Sequence, residues 1–215
     1  FIHKNGKEEL FKYFDYNVFY DPSETTVATL FRKSVFISGF TFRRSLAVPY
    51  LTDIFDGTLL YQIYLLSEIC INYSSAYCTI PLTVQSANRR EVPMFGSSES
   101  EKSLYEPGVI SLDNSINFMK GFFKISNFMD LKYNLNLTNK IRKDISKYSY
   151  PVLSIQRPKG IKIFLNYVSR LRNEIGIGNT FYFYVYTISL LIFGTKICNN
   201  VIIFLKKIIG RTPHL

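Results

Sequence analysis

The alternation of apolar and polar positions predicts a chain of short elements in mixed order. Residues 7–20 place Leu10, Phe11, Phe14 and Val18 at helical spacing, which predicts a helix with an aromatic face. Asp21-Pro22-Ser23 punctuates it, and residues 25–30 fit either a short helix capped from Ser23 or a loop. The stretch 34–42 is rich in β-branched and aromatic residues, so a strand is expected there, with Gly39 marking a close backbone approach. Arg43-Arg44-Ser45 leads into a short helix ending near Pro49. The run 59–69 contains neither Gly nor Pro and predicts a buried helix. Residues 76–82 follow as a strand closing an α/β crossover.

From 84 to 108 the composition turns polar, and a loop of that length inside a compact domain usually serves as a lid or binding loop. Helices resume near Leu112, capped by Ser111 or Asp113, and continue to about Phe128. Polar and basic turns with Pro151 and Pro158 precede a last helical section from Lys162 onward. No residue between Glu174 and Lys196 is charged. At about 1.5 Å per residue the stretch 175–195 could reach across a hydrocarbon core of roughly 30 Å. Gly176, Gly178, Asn179 and Thr180 weaken its first part, which leaves 181–193 as the apolar stretch. A second run, 201–205, is followed by Lys206, Lys207 and Arg211. The pattern suits an interfacial or re-entrant helix pair with basic flanks better than a clean span. A spanning helix and a buried core helix are the alternatives.

Charge divides the chain into two parts. Residues 1–130 hold 12 Lys+Arg against 14 Asp+Glu, a net −2, whereas residues 131–215 hold 14 against 2, a net +12. With 215 residues and 47% apolar composition, one core domain (1–130) and a basic helical tail (131–215) are expected. Such a block is attracted to a polyanion. Because its cations are interleaved with aliphatic runs, an anionic membrane surface is favoured and nucleic acid is not. Three cysteines without paired spacing point to a reducing compartment. His3 and His214 sit at opposite ends, which leaves no His-based metal site or nucleophile pair in the body of the chain and excludes hydrolase triads. The opening at Phe1, with no charged-then-apolar leader, reads as that of a fragment.

The chemistry-bearing pieces are Phe36-Ile37-Ser38-Gly39-Phe40, then Phe55-Asp56-Gly57-Thr58-Leu59-Leu60-Tyr61-Gln62, then Ser98-Glu99-Ser100-Glu101-Lys102 closed by Pro107-Gly108. In these, over about residues 25–125, the sequence resembles bacterial family 2 glycosyltransferases of the GT-A type that build surface polysaccharides. The resemblance implies an α/β fold, the acceptor-side half of an incomplete GT-A domain followed by a membrane-associated helical region. It implies sugar transfer from a nucleotide-sugar donor to a saccharide or lipid-linked acceptor, with inversion, at the cytoplasmic face of the cell membrane.

Inverting transfer needs a carboxylate near the attacking hydroxyl, since the proton leaves as the oxygen attacks. Asp56 is the candidate base, beside a Gly57 small enough to let the acceptor approach, and Asp53 is its understudy. An Asp at a helix start also caps backbone N–H groups, so a purely structural role stands beside the catalytic one. The base reading requires that the Asp56 carboxylate face a hollow. Arg89 and Arg90 either clamp the leaving diphosphate or are solvated loop residues. Lys102, with Glu99 and Glu101, belongs to a lid or to a charged surface loop. Gln62, an amide on an apolar helix, needs a partner, which a sugar hydroxyl or a backbone group would supply. Gly39 completes the substrate-binding candidates.

Three departures qualify the likeness. Phe55 stands where family members often carry Glu before the Asp, and the Gln-x-x-Arg-Trp motif of processive synthases is missing, for the chain has no Trp. No Asp-x-Asp occurs either, since Asp53 and Asp56 are three apart. The divalent metal (Mg or Mn) implied for the full-length protein is therefore expected to have its ligands upstream, and the fragment alone is expected to be inactive. The rival reading is a non-enzymatic, membrane-anchored basic module that binds anionic lipid or polyanions.

Overall fold

A computed structural model of the chain describes residues 13–35, 39–80 and 95–209, with side chains as far as 205. Within the segment expected to open with a helix, Val18–Tyr20 is a strand, β1. The side chains alternate, with Phe19 exposed and its neighbours half-buried, a period of two that suits aromatic residues on a pleat. The Phe14 ring meets Tyr77 edge-on at 5.0 Å. Leu10 and Phe11 lie outside the described residues.

Ser23 starts the first helix. Its extended backbone aims Oγ at the Thr26 amide, 3.1 Å away, with Glu24 in the first turn; hydroxyl cap and carboxylate both answer the positive end of a helix. Helix α1 (Glu24–Phe31) thus resolves the choice between helix and loop, and it buries Val27 and Phe31 completely. It continues through a 3-10 turn, Arg32–Ser34, into a helical Val35, where the pattern predicts a strand. Residues 36–38 lie outside the described residues, and 39–43 contain no strand. The helical register carries Ser34 into the core and leaves the Val35 carbonyl to accept from Gln62 rather than from a sheet neighbour.

After a short helix α2 (Arg44–Ala47) and a 3-10 turn (Val48–Tyr50) comes α3 (Tyr61–Asn72), the expected buried helix. Strand β2 (Ser75–Tyr77) follows and pairs antiparallel with β1, Val18 opposite Tyr77 and Tyr20 opposite Ser75. The fold is therefore mostly helical, with a two-stranded sheet as its β component among the described residues. Of the strand expected at 76–82 to close an α/β crossover, Ala76 and Tyr77 lie in β2, which finds an antiparallel partner in the preceding short strand, and residues 81–82 lie outside the described residues.

Downstream, α4 (Glu99–Lys102) is one turn inside the polar loop. Helix α5 (Leu112–Tyr133) starts at Ser111, whose Oγ accepts from the Asn114 amide at 3.1 Å, and ends at Asn134 in the left-handed conformation, as Asn tolerates at that position. The Asp130 carboxylate then accepts from the Leu137 and Thr138 amides at 2.6 and 3.0 Å, capping α6 (Leu137–Lys147) from the preceding helix. Leu137, Ile141 and Ile145, four apart, are buried and carry α6 into the core beside α1 and α5. Helix α7 (Tyr150–Ser154), the 3-10 turn Arg157–Lys159, α8 (Ile161–Arg170) and a π-turn (Leu171–Ile175) complete the body.

The last element, α9 (Phe181–Ile209), is long and apolar enough to cross a membrane by length and composition, and little of it is buried. Gly194 interrupts it, with φ 70° and ψ 173°. The arms 181–193 and 195–209 are each roughly 20 Å long at about 1.5 Å per residue. Arg157 donates from Nε to the Leu190 carbonyl at 2.8 Å and from Nη2 to that of Leu191 at 3.3 Å, which satisfies carbonyls that the break leaves without helical donors. The Cys198 thiol reaches the Ser189 carbonyl at 3.4 Å. Residues nine apart in a straight helix are separated by about 13 Å, so the chain bends sharply here.

Candidate active site at the Asp56 turn

The turn that carries the candidate base is anchored by its neighbour. Phe55 is fully buried, its ring tilted against Tyr64 at 4.4 Å and edge-on against Phe128 at 5.2 Å. Backbone bonds close the turn around it: the Asp56 amide donates to the Asp53 carbonyl at 3.0 Å, and the Thr58 amide and hydroxyl both donate to the Phe55 carbonyl. Lys124, from α5, donates to the Ile54 carbonyl at 2.6 Å and lies over the Phe55 ring. Leu59, next along, has φ 61°, a left-handed conformation that costs a side-chain-bearing residue about 1–3 kcal/mol and persists only where surroundings enforce it.

The loop holding Ser98-Glu99-Ser100-Glu101-Lys102 packs directly onto this turn. Gly57 has φ +79°, and a Cβ built on it would lie 2.2 Å from the Ser100 carbonyl oxygen. The space beside Gly57, expected to admit an acceptor, is therefore filled by the loop's backbone. Tyr105 donates its hydroxyl to the Thr58 carbonyl at 3.2 Å, and burial, with Glu101 nearby, pushes its pKa up to about 12. Glu101 accepts from the Gly96 amide at 2.7 Å, and Asn114 bonds Glu106 through both its amide and its carbonyl. The segment 95–111 is consequently an ordered loop rather than a slack linker. Two of the three pieces that carried the resemblance touch each other.

Asp56 itself is exposed, as is Asp53, and neither carboxylate has a hydrogen-bond or ion-pair partner among the described residues. Asp56 therefore does not cap α3. A shallow groove of about 310 Å³ lies elsewhere, between α1 and α6, lined by Thr25, Ala28, Thr29, Lys33, Lys140 and Asp144. Burial holds the Lys33 pKa below its ordinary value, and Arg32 adds to the effect. The hollow required of the base reading is thus not supplied around Asp56 by that groove.

The other predicted residues separate. Gln62 is buried and donates to the Val35 carbonyl at 2.8 Å, so its partner is a backbone group rather than a sugar hydroxyl. Gly39 is exposed, with open space where a side chain would stand. Lys102 pairs with Glu99 at the surface. Arg89 and Arg90 lie outside the described residues. Among the described residues no group of three or more His, Cys, Asp or Glu could hold a metal ion.

A second polar cluster escapes sequence reasoning. Glu68 on α3 is wholly buried and accepts from Lys132 Nζ at 2.7 Å and from the Tyr133 hydroxyl at 2.6 Å, while Asn72 donates to that hydroxyl at 3.0 Å. Burial, then Glu68, holds the Tyr64 phenol far above its usual range, and burial with the bond to Glu68 raises Tyr133. Burial opposes the charge on Lys132, yet its contacts with Glu68 raise its pKa overall. The available signal was a lone carboxylate in the apolar run 63–71. The Glu68 carboxylate is buried while Lys132 and Asn72 reach the surface, and the cluster fastens α3 to α5.

No family model matches the chain, and no curated protein or solved structure matches it either.

Proposed function

We propose that this chain is the acceptor-side part of a family 2 glycosyltransferase, in which Asp56 deprotonates an acceptor hydroxyl as it attacks the anomeric carbon of a nucleotide-sugar. The observation that carries the reading is an unpartnered, exposed carboxylate on a hydrogen-bonded turn against which the Ser98–Lys102 loop packs through Gly57 and Ser100. A base must accept a proton within about 2.6–3.2 Å of the hydroxyl, and a carboxylate with no protein donor is available for that. The facing wall and the diphosphate-holding groups, with their Mg or Mn, would come from the nucleotide-binding half that the resemblance places upstream. The acceptor would be a saccharide or lipid-linked chain at the cytoplasmic face of the membrane, toward which the basic tail draws the protein.

Sugar transfer by the full-length protein tests this. Asp56→Asn should lower turnover by about 10²–10⁴-fold, the usual contribution of a positioned general base, and Asp53→Asn should leave it near wild type. Wild-type rates in both variants would reject the mechanism. The long, apolar and largely exposed α9 favours a second reading, a membrane-anchored module without catalysis, and the finding that would select it is membrane binding by a full-length protein that turns over no nucleotide-sugar.

A further inference from the structure

Each arm of α9 turns a row of apolar side chains away from the protein. On the first arm Phe181, Val185, Ile188 and Ile192 are exposed, while Phe183 and Leu190 are fully buried on the other side. On the second arm Ile197, Val201 and Phe204 form an exposed row along one face, Ile203 and Leu205 are exposed as well, and Cys198 is buried. Steps of three and four residues place each row on one helical face. A helix at the surface of a soluble protein carries its charges on that outer face, so the pattern here is inverted, and a contiguous apolar row of this kind marks contact with another apolar phase.

Charge decides which phase. From 175 to the last residue there is no Asp or Glu, while Lys196, Lys206, Lys207 and Arg211 are distributed through the stretch. A second copy of the same tail would bring like charges together, whereas an anionic leaflet is complementary to them. Tyr182 and Tyr184 are partly exposed beside the first row, as aromatic residues are at the level of lipid headgroups. The arms are each about 20 Å long, too short to cross a hydrocarbon core of roughly 30 Å, and Arg157 ties down the carbonyls at the bend.

We propose that α9 is a one-leaflet anchor whose two arms lie in the interfacial region of an anionic membrane, apolar rows inward, with the Gly194 bend and the Arg157 contacts keeping the chain from crossing. This rests on the membrane part of the proposed function and not on sugar transfer. Amphipathic segments of this type bind through buried apolar area together with attraction to anionic lipid.

Adding the full chain to preformed vesicles of phosphatidylcholine, with and without phosphatidylglycerol, tests the inference. Binding should rise about tenfold or more with phosphatidylglycerol and weaken with salt. Trypsin added outside should cut the bound protein at Lys206-Lys207. Joint replacement Ile188→Glu and Ile192→Glu, both at exposed positions, should reduce binding about tenfold or more with an unchanged circular dichroism spectrum. A trypsin-resistant fragment running from Asn173 to the C-terminus would show that the segment crosses, and undiminished binding by the double variant would show that the rows do not touch lipid. Either result overturns the one-leaflet anchor while leaving membrane association in place. Failure of the wild type to bind either vesicle removes both.

Discussion

Replacing Lys132 by methionine keeps the aliphatic stem and removes the ammonium that neutralises Glu68. The Glu68 carboxylate is fully buried, and Lys132 and Tyr133 donate to its two oxygens, so the variant leaves a buried charge with one hydrogen-bond donor in place of two. Removing one member of a buried ion pair costs about 3–5 kcal/mol, because the other stays in a poorly solvating interior. The Lys132 side chain is itself 37% exposed, so water can enter part of the vacated space, and the loss should fall at the low end, about 3 kcal/mol. Glu68→Gln should cost less, about 1–2 kcal/mol, since the amide still accepts from Tyr133 and the freed ammonium can turn to solvent. The double variant should then be more stable than Lys132→Met alone, the buried charge having gone. Urea unfolding with unchanged slopes gives the four stabilities, and the double-mutant cycle gives the coupling. Equal losses in the two single variants, or a double variant equal to their sum, would refute this account of how α3 is held to α5.

Gly57→Ala should cost about 3 kcal/mol, from a left-handed backbone worth about 1–2 kcal/mol and a clash worth about 1–3 kcal/mol, and should speed amide exchange across 95–108; a variant as stable as wild type would show that the loop does not rest on the turn. Glu174, bonded by Arg170 and Lys120, has its pKa drawn down to about 2. A carboxylate depressed in the folded state stabilises above its unfolded pKa, near 4.5, and that contribution is lost as pH falls toward 2. Glu174→Gln should therefore flatten the fall in urea midpoint between about pH 4.5 and 2, and an unchanged acid limb would count against the pairing.

Local signals that proved legible were those whose partners lie within a few residues. The Gly- and Pro-free run around α3 appears as a buried helix, Ser23 and Ser111 cap the helices that follow them, and the apolar tail comes in two pieces. What could not be read depends on distant chain. Val18–Tyr20 becomes a strand because Ser75–Tyr77 lies beside it, and helical spacing of aromatics cannot announce that. The stretch around Val35 loses its strand character to the continuation of α1 and to Gln62.

At the site, composition around Asp56 was legible as a chemistry-bearing turn, yet the use made of Gly57 was not. A glycine beside a carboxylate reads equally as room for a ligand or room for backbone, and Ser100 settles it as backbone. Glu68 shows the same limit from the other side. Its neighbours in sequence are apolar, while Lys132 and Tyr133 arrive from 64 and 65 residues away. A buried charge is visible in sequence only as an oddity until its partner is placed.

The most direct test of the catalytic assignment is carboxyl labelling of the full-length protein by a water-soluble carbodiimide, mapped by mass spectrometry. Asp53 and Asp56 are both exposed and should both label in the free protein. With nucleotide-sugar and acceptor bound, Asp56 should be protected while Asp53 continues to react. Labelling of Asp56 at the same rate with and without those ligands would contradict its place beside the reacting hydroxyl.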